Sequence, residues 1–232
     1  MFTFAPLKNN MNTKILFLAI MLTMMEYGTA QNFDPQIYNI GKKYPGYIIK
    51  LNNDTVRGFI EAKERCTAGG LGYSNQNRCE FYLNENDRKA TEKYGPKELK
   101  GYMIADKFYK SIPYSGGLVK SNNFCLLLEG GRISRYVWYK TKEGFVNMNK
   151  NPNESTEDFD KRRYDSQEVC QKLDEDCFTL QGFVMAFAKK MSQIVSDYPE
   201  LSEKIANKEK GYKVDAFYKI IEEYNTYFAN KK

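Results

Sequence analysis

The sequence predicts an α+β protein, in which an N-terminal antiparallel, twisted β-sheet or partial barrel is followed by a C-terminal helical subdomain. The chain contains 18 Tyr and 15 Phe, residue types that favour half-buried strands, and many lie in short runs bounded by turn residues. Towards the C-terminus, apolar residues instead recur at helical spacing. We therefore expect a signal segment at 1–30, a β-rich domain at 31–150, and a loop with a helical subdomain at 151–232.

The N-terminus has the layout of a secretory signal peptide. Lys14 precedes the apolar run 15–22, and the small residues 28–30 supply a cleavage site after Ala30. The apolar run is roughly a dozen residues, shorter than the ~20 that a membrane-spanning helix needs. Translation from Met1 or Met11 fits this layout, and a buried helix of the folded domain is the alternative. We expect an exported chain, periplasmic or outer-membrane-associated or extracellular, with no transmembrane segment after signal cleavage.

The net charge of +6 is spread along the chain. A run such as 160–163, Asp-Lys-Arg-Arg, is typical of a solvated loop, with a nucleic-acid contact as the alternative. We expect no nucleic-acid partner. The abundance of Tyr also leaves a sugar-binding platform open.

The predicted strands begin on either side of an Asn-rich turn. Residues 46–51 and 55–60 form the first pair, and the turn 52–54 between them holds Asn and Asp, which tolerate positive φ. Further strands are predicted at 79–83, 89–94, 102–105 and 108–112, with a proline turn at 95–99.

The clearest hairpin joins residues 124–129 to residues 132–139 through Gly130 and Gly131. A Gly-Gly pair suits the two-residue primed turn that matches the twist of the strands. Neither face of the second arm is uniformly polar, so we expect the sheet to be covered on both sides.

Helices are predicted after an Asn-rich loop at 147–157. An apolar stripe runs through 180–195, and the acidic residues 174–176 would lie near the start of that helix, where its dipole favours them. A short helix begins near Pro199, and residues 214–228 form a final amphipathic helix. We expect these stripes to be core, with a partner-binding groove as the alternative.

All five cysteines lie beyond the signal segment, and export would place them in an oxidising compartment. Proximity favours Cys66–Cys79 and Cys170–Cys177, although four cysteines allow three pairings. Each bridge would add about 2–3 kcal/mol. Cys125 is predicted to be a buried free thiol. A zinc site is the rival interpretation, but there is no Cys-x-x-Cys pair and no His, so we expect no metal.

The chain has no His, which excludes Ser-His-Asp and Cys-His catalysis. The glycine-rich segment 69–72 is interpreted as a loop, because a nucleotide site would need a helix after it; no cofactor is expected. Carboxylate-pair hydrolysis needs only two facing Asp or Glu side chains. Glu61, Glu80 and Glu129 lie on predicted strands, but the sequence does not show that any two converge, so the catalytic residues are unknown.

Two short motifs resemble those of a broad set of uncharacterised exported proteins of the Bacteroidota. They are Asn-Asp-Thr-Val-Arg-Gly-Phe-Ile at 53–60 and Tyr-Gly-Pro-Lys-Glu-Leu-Lys-Gly-Tyr at 94–102. In that set an N-G-D-T hairpin precedes a Y-x-P-x-(D/E)-(I/L)-K-G turn, and a helical tail often follows. The resemblance covers roughly 46–108, with Asn53 where the set usually has Gly. It implies an envelope location and brings no established activity.

Within the first motif, Asp54-Thr55-Val56 resembles the acceptor of Bacteroidota O-glycosylation, which makes Thr55 a candidate for modification. The alternative is an Asx turn that continues into a β-branched strand. Intact-mass measurement of the native exported protein distinguishes the two.

These observations favour a non-catalytic cell-envelope protein that binds a protein or glycan partner. The alternative is a small carboxylate-dependent hydrolase acting on envelope polysaccharide, and a third interpretation is a stress-induced structural protein without a small ligand.

Overall fold

The computed structural model describes residues 41–63, 66–67, 70–71, 75–115, 121–141, 151–155 and 164–231. The predicted signal peptide at 1–30 and most of the predicted loop at 147–157 lie outside these ranges. The described residues belong to one compact unit, residues 31–232.

Twelve strands are present in the described ranges, and each pairing between them is antiparallel. They are β1 Lys43–Lys50, β2 Thr55–Glu61, β3 Cys66–Thr67, β4 Gly70–Leu71, β5 Cys79–Tyr82, β6 Glu92–Tyr94, β7 Leu99–Ile104, β8 Lys107–Ile112, β9 Asn123–Glu129, β10 Ile133–Thr141, β11 Tyr164–Lys172 and β12 Cys177–Phe178. Ten of them form one sheet in the order β12-β11-β10-β9-β8-β7-β1-β2-β5-β6, and β3 pairs with β4 separately.

The prediction of an α+β fold with a large antiparallel sheet and C-terminal helices is confirmed. Among the described strands the order has two ends, β6 and β12, so this sheet is open. Asn53 adopts a φ of 72° in the β1–β2 turn, as the Asn-rich turn predicted.

Side-chain alternation gives the sheet two apolar faces. Residues buried on the first face include Ile48, Ile60, Tyr102 and Leu126. The second face carries a smaller cluster around Tyr136, which comprises Ile112, Cys125, Trp138 and Val169. Apolar clusters on both faces agree with the expectation that the sheet is covered on both sides.

A glutamine fills the gap where β9 and β10 separate. The amide of Gln76, a side chain that is buried, accepts a 2.7 Å hydrogen bond from the N–H of Tyr139 and donates one of 2.9 Å to its carbonyl oxygen. The carbonyl oxygen of Gln76 accepts a hydrogen bond from the N–H of Phe124 on β9. The segment before β5 is thus attached to the middle of the sheet.

The helices follow β12 and cover the first face at the β10–β12 end. They are α1 Phe187–Ile194, α2 Pro199–Ala206 and α3 Phe217–Ala229, with 3₁₀ turns at Val184–Ala186 and Val214–Ala216. Their apolar residues, including Met191, Leu201 and Ile220, pack with Ile133 and Phe178 of the sheet. In the part of the chain that the structure describes, no helix combines the length and the apolar character needed to cross a bilayer.

Three predictions about individual elements were wrong. The sheet continues past residue 150, because β11 and β12 pair onto β10. The acidic residues 174–176 lie in the β11–β12 turn, and the helix expected from 180 begins only at Phe187. Gly130 and Gly131 connect β9 and β10, but neither has the positive φ of a primed turn.

Candidate functional site

Five segments of the chain meet around a groove of about 540 Å³. Its lining residues are Leu51, Pro96, Lys97, Leu99, Lys100, Lys110, Ser111, Asn122 and Asp174. A volume of several hundred Å³ is within the range of small-molecule sites. The groove is therefore large enough for a ligand of a few sugar rings.

Strand pairing brings the lining residues together. Leu51 follows β1, which pairs with β7 through Lys50 and Leu99, and β7 pairs in turn with β8. The register shifts beside this pair, so Lys100 has no partner residue on β1. Such a bulge redirects a side chain, and here Lys100 lies at the wall of the groove.

Two polar side chains on neighbouring segments contribute to the lining. The hydroxyl of Ser111 on β8 donates a hydrogen bond to the carbonyl oxygen of Pro96. The amide of Asn122 donates in turn to the Ser111 hydroxyl over 3.2 Å. These contacts connect the Pro96 turn to β8 and the start of β9, which fixes the shape of the groove from that side.

Positive charge exceeds negative charge in the lining, which has three lysines and one aspartate. The Lys110 ammonium lies 3.2 Å from the Asp174 carboxylate, whose side chain is 94% exposed. An ion pair with so exposed a partner is weak. The Lys100 ammonium donates to the Asn53 amide oxygen at 2.6 Å, which is a neutral partner. The groove is therefore suited to a negatively charged group.

The structure brings two of the three predicted carboxylates together, but not at this groove. The Tyr82 hydroxyl donates a hydrogen bond to Glu61 on β2 and lies 3.5 Å from the carboxylate of Glu80 on β5. Lys63 forms ion pairs with both carboxylates, and Lys93 lies 3.2 Å from Glu80. The strand interpretation of Glu61 and Glu80 was therefore correct, and their convergence was not visible in the sequence.

Electrostatics disfavour a general-acid role for this pair. Burial alone would raise the pKa of Glu80, but the hydrogen bonds and charges of Lys63 and Lys93 outweigh burial and lower the pKa. A carboxylic acid that protonates a leaving group needs a raised pKa. Burial and the neighbouring Glu61 raise the pKa of Tyr82, so its hydroxyl stays protonated at neutral pH.

The third predicted carboxylate, Glu129, lies with Glu168 on either side of Arg135. The guanidinium is 2.7 Å from Glu129 and 2.5 Å from Glu168, and the Tyr218 ring of α3 packs over it at 4.5 Å. Burial alone would lower the pKa of Arg135, but the hydrogen bonds and charges of the two carboxylates outweigh burial and raise the pKa. This cluster joins the sheet to α3 as an ion-pair network in which one guanidinium binds two carboxylates.

The predicted pairing of Cys170 with Cys177 is not formed. Cys170 is a free buried thiol that packs with the helices, and its cross-strand neighbour is Phe178. Cys177, one residue earlier on β12, packs with the cluster on the opposite face. Successive strand residues point to opposite faces, which keeps the two sulfur atoms apart.

The predicted pairing of Cys66 with Cys79 is not formed either, because Cys79 is a free buried thiol; the Cys66 side chain lies outside the described part. Cys125 is a buried free thiol, as predicted, and burial raises its pKa. Among the described residues, no group of three or more Cys, Asp or Glu is placed to hold a metal ion.

Thr55, the candidate for glycosylation, and Trp138, the one tryptophan of the chain, have contrasting surroundings. Thr55 is exposed at the start of β2, and Asn52 and Asp54 before it form the hydrogen-bonded Asx turn that was the alternative to glycosylation. Modification of Thr55 stays a prediction. Trp138 is buried on the second face, so its ring offers no open stacking surface for a sugar.

The groove residues were not predicted as a site. The one signal in the sequence that could have indicated the groove is the second motif of the resemblance, which contains Pro96, Lys97, Leu99 and Lys100.

No family model matches the chain, and comparisons with curated proteins and with solved structures also find no match.

Proposed function

We propose that the protein is an exported, non-catalytic binding module of the cell envelope and that its ligand, a glycan, occupies the lysine-lined groove. The observation that carries this proposal is the open groove with its excess of lysines. The carboxylates elsewhere are engaged in ion pairs with Lys63, Lys93 and Arg135. In this proposal the twisted sheet is a partial barrel that holds the turns around the groove.

The lining favours a glycan over a protein partner. It combines the exposed apolar side chain of Leu51 with the Ser111 hydroxyl and the Asn122 amide. Sugars present both apolar C–H faces and hydroxyl groups, so they match a few polar groups beside an apolar surface. A protein interface needs on the order of 800 Å² from each partner, which is more than a groove of this size supplies.

Nuclear magnetic resonance of the mature chain from Gln31 tests the proposal. Soluble oligosaccharides released from cell-envelope polysaccharide are titrated into the labelled protein. We expect chemical-shift changes in the amide signals of Lys97, Lys100, Ser111 and Asn122. Saturating shifts elsewhere on the surface, or no shifts with any oligosaccharide, would contradict a ligand site in this groove.

A carboxylate-dependent hydrolase is the second candidate, because Glu61 and Glu80 both lie beside the Tyr82 hydroxyl. It is less well supported, since Lys63 and Lys93 keep Glu80 ionised. The release of reducing ends from envelope polysaccharide measures it directly. Release that is lost in Glu80→Gln, with the fold unchanged, would favour the hydrolase over the binding module.

A further inference from the structure

We infer that the groove selects glycans that carry acidic groups, either carboxylates or phosphates, and that Asp174 competes with the ligand for Lys110. This inference rests on the proposed function, because it names the ligand class of the same groove. It begins from the partners of the three lysines.

Each lysine of the groove is incompletely neutralised. Lys100 donates to the neutral amide of Asn53 at 2.6 Å. Lys110 contacts the amide oxygen of Gln171 at 3.3 Å and one carboxylate, that of Asp174. Lys97 is exposed, and it forms no hydrogen bond or ion pair with another residue in the described part of the chain. A ligand anion therefore meets ammonium groups without first breaking a buried ion pair.

Two of these lysines lie on the paired strands β7 and β8, and both line the groove. Lys110 lies directly across from Gly101 in the β7–β8 pairing, and Lys100 is the bulged residue just before Gly101. The Lys100 ammonium reaches Asn53, whereas the Lys110 ammonium reaches Gln171 and Asp174. The strands thus supply positive charge at two places along the groove, where ammonium groups attract carboxylate or phosphate oxygens.

Asp174 occupies the position that a ligand anion would take at Lys110. Its carboxylate lies 3.2 Å from the ammonium, yet its side chain is almost fully exposed in the β11–β12 turn. An exposed carboxylate is held weakly and can be displaced. Removing its charge should therefore strengthen the binding of an acidic ligand, whereas removing a lysine should weaken it.

Calorimetric titration of the mature chain tests the inference with matched probes. Trigalacturonate is compared with neutral maltotriose, and trehalose 6-phosphate with neutral trehalose. We expect each acidic sugar to bind at least about tenfold more tightly than its neutral counterpart, a difference of about 1.4 kcal/mol. The preference should diminish when the salt concentration rises from about 20 mM to about 300 mM.

Three variants locate the effect. The double variant Lys97→Gln/Lys100→Gln should lose at least about tenfold in affinity for the acidic probes, equivalent to about 1.4 kcal/mol. Asp174→Asn should bind them more tightly than the wild type. Lys189→Gln, an exposed lysine on α1, is the matched control and should leave affinity unchanged. All four side chains are exposed, and thermal unfolding verifies that each variant is folded.

The outcomes separate this inference from the proposed function. Equal binding of neutral and acidic sugars in the groove overturns the inference and leaves the glycan-binding function standing. The inference is also overturned if the double variant binds the acidic sugars as tightly as the wild type does. Binding of an acidic peptide, but of none of the sugars, contradicts both, as does the absence of binding to every probe. A preference for only one of the two acidic probes identifies carboxylate or phosphate as the group recognised.

Discussion

The side chain of Gln76 makes hydrogen bonds that a neighbouring strand would otherwise make. Its amide pairs with both main-chain groups of Tyr139, where β9 no longer reaches β10.

In Gln76→Ala these two buried groups would lose their partner. We expect a loss of about 2–4 kcal/mol in the free energy of unfolding, since each buried unsatisfied group costs about 1–3 kcal/mol. Urea unfolding measures it. Gln181→Ala, at an exposed position, is the control, and an equal effect of both variants would contradict the role of Gln76.

Asp197 lies where the helices meet the end of the sheet, and its charge contributes to stability. Burial alone would raise its pKa, but hydrogen bonds from Tyr224, Arg132 and Lys172 outweigh burial and lower the pKa. A carboxylate whose pKa is lower in the folded state stabilises the fold above its unfolded pKa of about 3.9. That contribution is lost as the pH falls through the folded pKa.

The variant Asp197→Asn isolates this contribution. We expect it to destabilise the protein by about 1.5–3 kcal/mol at neutral pH, the range for hydrogen bonds to a charged group. The difference from wild type should diminish as the pH falls below about 4, because Asp197 itself then becomes neutral. Unfolding curves at several pH values measure both free energies. A difference that stays constant down to low pH would show that the charge of Asp197 is not the cause.

At the scale of elements, the β9–β10 turn has two glycines with different surroundings. A Cβ atom on Gly130 would meet nothing within 4 Å, whereas one on Gly131 would meet the side-chain amide of Asn225 on α3. That amide accepts a 2.8 Å hydrogen bond from the N–H of Ile133 and donates one of 2.9 Å to its carbonyl oxygen. Gly131 therefore makes room for a contact between helix and strand.

We expect Gly131→Ala to lower the free energy of unfolding by about 1–3 kcal/mol, because the added methyl group displaces Asn225 from Ile133. Gly130→Ala differs from it by one position in the same turn and should change stability by less than about 0.5 kcal/mol. Thermal unfolding of the two variants gives the comparison. Equal losses in both would indicate that the turn conformation, and not the helix contact, requires glycine.

Some strands of this fold could be predicted from the sequence, and others could not. The strands from β1 to β10 with turn residues between them were mostly recognised, because Tyr, Phe and aliphatic residues mark them. β11 was missed because its first-face residues Glu168 and Lys172 are charged. Their partners, Arg135 and Asp197, lie elsewhere in the chain. An ion-paired strand carries no hydrophobic alternation, so only the fold reveals its burial.

The groove was missed for a related reason. Its residues come from the β1–β2 turn, the Pro96 turn with the start of β7, β8, the residue before β9 and the β11–β12 turn. Only long-range strand pairing places these segments together. Lysines spread over a turn and two strands look like solvated surface positions in a sequence. The candidate carboxylates Glu61 and Glu80 were recognised singly, but their shared contact with Tyr82 depends on the pairing of β2 with β5.

At the scale of the whole molecule, the helices depend on the sheet. The helices α1 and α2 have eight residues each and α3 has 13, lengths at which isolated helices are marginal in water. Their apolar residues pack against Ile133 and Phe178, and Asp197 binds Arg132 of the β9–β10 turn and Lys172 of β11. The C-terminal helices are therefore not an independent folding unit.

We expect a fragment of residues 179–232 to be largely unfolded, since it lacks the sheet face that buries its apolar stripes. Circular dichroism should show little helix and no cooperative thermal transition, whereas the chain from Gln31 should unfold in one transition. A fragment that extends from residue 121 to 232 is the control, because it adds β9 to β12 and the contacts with Ile133, Phe178 and Lys172. It should recover more helix than the short fragment. Cooperative unfolding of residues 179–232 alone would instead establish a separate helical domain, which the packing of the helices on β10–β12 does not support.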